Sequence, residues 1–176
     1  MIKIIFVRHG RDKNDKLTCL GKRQTKLLVK ELEYENVDKI YSSPKGRTFE
    51  TAKIIAKKLG IKNIVTDYRI TEREKIDCNM SQSEINAYNE NYLNPNFSRE
   101  NPEGCKEYYD RISEFLLDMI ESASKNETIL IVGHSSMCYI MNAYFCKKPK
   151  NKLLDWIRVG NCSKICYEYD KQKDEK

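Results

Sequence analysis

Histidine is the scarcest ionisable side chain here: 176 residues contain two, His9 and His134. No CxxC pair and no Cys/His cluster at zinc-ligand spacing accompanies them, so the sequence offers no metal site and no cofactor motif. No apolar run approaches the length that spans a bilayer, and no leader pattern opens the chain. A cytoplasmic protein with no membrane partner is expected. Seven cysteines, an odd number, fit a reducing compartment in which they serve as small apolar side chains. A concentrated basic block is also missing. The net charge of +6 comes from scattered lysines, apart from the tail Lys171-Gln172-Lys173-Asp174-Glu175-Lys176. Solvated surface lysine is expected rather than a nucleic-acid partner.

What is present reads as one domain, residues 1–176, in which strand-like and helix-like segments alternate. The apolar run Ile2 to Val7 predicts a buried strand, followed by a polar loop. Thr18 predicts an N-cap for a helix to about Tyr34, with Leu20, Leu27, Leu28 and Leu32 near one face. A strand at Lys39–Ser43 precedes a helix capped by Ser43, with Pro44 in its first turn and Gly60 as its stop. Ile64–Thr66 reads as a short strand. From about Thr71 to Gly104 the chain is polar, with a capping box at Ser81-Gln82-Ser83-Glu84, and reads as an excursion beside the sheet. A long helix from about Glu103 to Ser124 carries Ile112, Phe115, Leu116, Met119 and Ile120 on one stripe. A strand from Thr128 to Val132, a helix from about Ser135 to Phe145 and a strand from about Lys164 to Tyr169 follow. This order predicts a three-layer α/β domain with a mostly parallel central sheet.

In such a sheet the residues just past the strand ends share one edge. His9 follows the first strand, Arg47 lies in the first turn of the helix after the second, Glu72 lies past the third, and His134 sits between a strand and a helix N-terminus. Arginines with two helix N-termini make an anion site, because guanidinium groups and free N–H groups both match phosphate oxygens. Arg8 adjoins His9 and adds a second guanidinium. A histidine inside such a pocket can act as nucleophile on phosphorus, with no metal ion required, and Glu72 can serve as acid and then base.

Arg8-His9-Gly10, the segment Ser42-Ser43-Pro44-Lys45-Gly46-Arg47-Thr48, Glu72 and Gly133-His134, in that order, resemble the histidine phosphatase (phosphoglycerate mutase-like) superfamily. Leu17-Thr18-Cys19-Leu20-Gly21-Lys22-Arg23-Gln24 is similar to the family's Leu-Thr-x-x-Gly-x-x-Gln helix start. The resemblance implies a three-layer α/β/α sandwich, His9 as the phosphorylated nucleophile, Arg8, Arg47 and His134 as phosphoryl ligands, and Glu72 as proton donor. Glu74 stands two residues on as the alternative acid. Arg11 occupies a position that is acidic in many members, and the loop Arg11 to Lys16 is short. The implied activity is metal-independent hydrolysis of a small phosphorylated metabolite. The alternatives are phosphoglycerate mutase-type transfer, or a catalytically weak module that binds phospho-ligands.

Overall fold

The computed structural model describes residues 1–73, 76, 79–147, 152–155, 157 and 159–174. Along the chain come β1 (Ile2–Arg8), a hairpin of β2 (Asp12–Lys13) and β3 (Lys16–Leu17), α1 (Cys19–Leu32), β4 (Lys39–Ser42), α2 (Gly46–Leu59) and β5 (Ile64–Thr66). A 3-10 turn at Tyr68–Ile70 follows, then α3 (Gln82–Glu90), α4 (Cys105–Ser122), β6 (Thr128–Gly133), α5 (Met137–Phe145), β7 (Lys164–Tyr169) and the short α6 (Lys171–Asp174).

One sheet runs β5-β4-β6-β1-β7, and all of its pairs are parallel except β1 with β7. Side chains alternate across it, as the pleat requires. Ile5, Val7, Ile40, Leu130 and Val132 pack under α1 and α2 on one face. Ile4, Phe6, Tyr41, Ile129 and Ile131 pack against α4 and α5 on the other. This is the α/β/α layering expected, with strands that read as nearly continuous apolar runs because both faces are covered. No helix among the described residues is long and apolar enough to cross a membrane.

Several local signals act as read. Thr18 accepts from the Gly21 N–H at 3.1 Å, Ser81 and Glu84 form the capping box, and Gly60 ends α2 in the left-handed conformation at φ 73°. Three expectations need correction. Leu20 and Leu27 are exposed; the buried stripe of α1 is Gly21, Thr25, Leu28, Val29 and Leu32, because two small residues near the helix start let it lie close to the chain after β1. The polar loop after β1 is a hairpin, closed by Asn14 and Asp15 with φ of 51° and 60°, the conformation that a two-residue turn of this hand demands. Among the cysteines of the described residues only Cys105 and Cys138 are buried in the core, whereas Cys19, Cys146 and Cys166 are exposed.

The close approach at Gly21 fixes where β1 leads. A Cβ there would lie 2.1 Å from the Arg11 carbonyl oxygen. That same oxygen accepts from the Thr18 N–H at 2.9 Å, so the loop is sealed to the start of α1. Glycine to alanine within a helix ordinarily stabilises. Here the clash reverses the sign, and Gly21→Ala is expected to lower the unfolding free energy by about 1–3 kcal/mol in urea titrations.

Candidate active site

Because β1, β4 and β6 are parallel, their C-terminal ends lie on one edge. The ladder also continues one residue beyond two of them. The His9 N–H donates to the Gly133 carbonyl at 3.1 Å, and the Ser43 N–H donates to the Val132 carbonyl at 3.2 Å. His9, Ser43 and His134 are therefore neighbours at the edge where open α/β sheets hold ligands. The two imidazole rings lie 5.5 Å apart between centroids, edge to face at 64°. His9 is 4% exposed and His134 is fully buried.

Arg47, the second residue of α2, joins them. Its Nε donates to His9 Nε2 and its Nη2 to His134 Nδ1, both at 3.2 Å. A guanidinium only donates, so each of these ring nitrogens presents a lone pair. The ring protons then sit opposite: His9 Nδ1 donates to the Gly10 carbonyl at 2.8 Å, and His134 Nε2 to Ser43 Oγ at 2.9 Å. Both rings are neutral. Burial pushes the His9 pKa down, aided by the Arg47 charge and opposed by the Gly10 contact. Burial, followed by the Arg47 charge, takes His134 to about 2.

Carboxylates hold the guanidinium in turn. Arg47 Nη1 donates to Asp15 Oδ1 at 2.8 Å and Nη2 to Glu72 Oε2 at 2.5 Å. The Asp15 carboxylate also accepts from the Gly46 N–H at 2.8 Å and the Arg47 N–H at 3.4 Å. Thr51 completes the frame, donating to the Arg47 carbonyl and accepting from the Gly10 N–H. Arg8 Nη1 donates to the Val159 carbonyl at 2.5 Å, and its buried Nε has no hydrogen-bond partner among the described residues.

Glu72 is aimed by anchors on both sides. Arg111 donates to the carbonyls of Arg69 and Thr71 while paired with Glu103. Arg73 is buried, with its guanidinium over the rings of Tyr88 and Tyr92 and bonded to the carbonyls of Glu103 and Tyr92. A cleft of about 370 Å³ beside Glu72 is lined by Arg73, Ile76, Tyr88, Tyr92 and Ser136.

His9, Arg47, Glu72 and His134 thus converge as the sequence suggests, with Arg8 adjoining. Glu74 lies outside the described residues. One expectation fails. Ser43 does not cap α2, which starts at Gly46 with Lys45 as N-cap and no side-chain cap of its own. The Ser43 hydroxyl is committed to His134 instead, and the helix N-terminus is not free, because Asp15 fills it. Sequence reading missed Asp15, Ser43 as imidazole partner, and Asn161, whose Nδ2 donates to the His9 carbonyl at 3.0 Å. The Asn14-Asp15 pair inside a six-residue polar loop was the available signal for the first.

Residues 4–175 match the model of the histidine phosphatase superfamily, branch 1. The chain belongs to this superfamily. Phosphoserine phosphatase 1 of Hydrogenobacter thermophilus is 29% identical over 163 residues, covering 83% of this chain and 75% of that protein. Putative phosphoserine phosphatase 2 of the same organism is 32% identical over 155 residues, covering 76% and 73%. The structure of a mycobacterial glucosyl-3-phosphoglycerate phosphatase has TM-score 0.80 over 98% of this chain and 93% of that one at 18% identity, a likeness of fold.

The buried imidazoles of this superfamily member give stability a defined pH dependence. Their folded pKa values are lowered from 6.5, so the unfolded chain takes up protons first as pH falls. The stabilisation is complete above that value and declines below it, by up to about tenfold in the folding constant per pH unit for His134 alone. Urea unfolding across that range, with nitrogen NMR showing the His134 ring still neutral in the native state, checks it.

Proposed function

We propose that this protein is a phosphatase that hydrolyses a small phosphomonoester through a phosphohistidine at His9. The reading rests on one observation above all: His9 Nε2 accepts from Arg47 while Nδ1 is tied to the Gly10 carbonyl. The lone pair of a neutral imidazole is therefore held in a fixed direction against a cation that suits phosphoryl oxygens. Its family membership and the two phosphoserine phosphatases among its relatives support the same reading.

In the first half-reaction the phosphoryl oxygens of an ester monoanion take Arg47 from His9 Nε2 and from Glu72, which picks up that monoanion's proton. The freed Nε2 lone pair forms the N–P bond as the ester P–O bond breaks, and Glu72 passes the proton to the departing oxygen. Arg47, Arg8 and His134 would hold the phosphoryl oxygens and offset the charge gathering on them. His134 needs its ring turned or retautomerised to donate, and Ser43, which can both donate and accept, allows the proton to change sides. In the second half a water attacks phosphorus, Glu72 takes its proton, and the N–P bond breaks to release orthophosphate. The cleft beside Glu72 is where the leaving group would lie.

Three measurements test the assignments. Removing the nucleophile in His9→Ala is expected to cut turnover by more than about a thousandfold. Labelled phosphate from substrate should be trapped on the wild-type protein as an acid-labile, base-stable adduct, and a label on serine or cysteine would overturn the assignment. Glu72→Gln is expected to slow alkyl phosphates far more than p-nitrophenyl phosphate, whose leaving group needs no proton; equal slowing would point to another acid. Transfer to a phosphoglycerate instead of water would mark a mutase, and binding without turnover a phospho-ligand module.

A further inference from the structure

The hairpin between β1 and α1 brings a carboxylate to the spot best suited to an anion. Asp15 takes the two N–H groups at the start of α2 and one arm of Arg47. Burial works to raise its pKa, but these donors outweigh burial and hold it below the ordinary carboxylate range. The approach is built in on both sides. Asn14 and Asp15 adopt left-handed backbone, and a Cβ at Gly46 would lie 2.5 Å from the Asp15 carbonyl. Asp12 of the same hairpin puts a second carboxylate 3.7 Å from His9 Nδ1.

We propose that Asp15 is a specificity-determining residue, an internal anion that a phosphoryl group must displace from Arg47 and the α2 N-terminus. The inference rests on the phosphatase reading above and adds to it a discrimination between ester and product. A carboxylate and a phosphoryl face present the same acceptor pattern to one guanidinium arm and the two backbone N–H groups beside it, and both cannot occupy those donors at once. An ester offsets the displacement with contacts made by its leaving group in the cleft beside Glu72. Orthophosphate has no leaving group, so it is held weakly and departs.

The test is calorimetric titration of orthophosphate into the wild-type protein, Asp15→Asn and Asp15→Gly at neutral pH. Asparagine keeps an oxygen for the Gly46 N–H and tolerates the left-handed conformation, and glycine keeps the turn with no side chain. Both variants are expected to bind orthophosphate at least about tenfold more tightly than wild type, with product inhibition rising in step. Equal affinity in all three proteins would overturn the role of Asp15 and leave the phosphatase reading standing. Weaker binding in the variants would make Asp15 a prop for Arg47 and overturn it too. No orthophosphate binding by any of the three would remove the phosphatase reading, and this inference with it.

Discussion

The guanidinium of Arg47 is the contact on which this structure turns. One group bonds a ring nitrogen of each histidine, and because it can only donate, it dictates which nitrogens keep their lone pairs. The site's chemistry follows from that constraint. A cation in the first turn of a helix works against the helix dipole and needs an anion close by. Asp15 and Glu72 meet that need on two arms of the same group. The arginine, the two carboxylates and the two neutral rings therefore form one electrostatic unit.

The fold serves that unit by delivering its parts at parallel strand ends. Neighbouring strands in register put His9 beside Gly133 and Ser43 beyond Val132 through backbone bonds alone. No loop has to search for them. Glu72 sits on less regular chain and is fixed another way, by the Arg69 and Thr71 carbonyls before it, both bonded to Arg111, and by the buried Arg73 after it, whose guanidinium lies over Tyr88 and Tyr92. This edge of the sheet thus has one half built on parallel strand ends and another braced by arginine.

Much of this was legible from residue order. Apolar runs located the strands, Thr18, Ser81 and Gly60 marked helix ends, and both histidines lay just past buried strands. What escaped depended on partners distant in sequence. Asp15 caps a helix that begins 31 residues later, a pairing that no local pattern encodes. Ser43 looked like a cap because serine before proline often is one, but a buried imidazole made a stronger claim on its hydroxyl. Leu20 and Leu27 fitted an apolar stripe until the tight contact of Gly21 with Arg11 rotated α1 onto Thr25 and Val29. That β7 pairs antiparallel was equally hidden, since its residues read the same in either direction.

The hairpin that carries Asp15 is pinned at both ends. The Arg11 N–H donates to Gln24 on α1, while Leu17 is buried and its N–H donates to Glu50 on α2. Swinging this loop open as a lid would break both of those bonds and expose Leu17. Asp15 can leave Arg47 by rotation of its own side chain, a motion of picoseconds to nanoseconds rather than the microseconds to milliseconds of a gating loop. On the reading proposed above, ligand entry would wait on the exchange of one carboxylate rather than on a movement of the backbone.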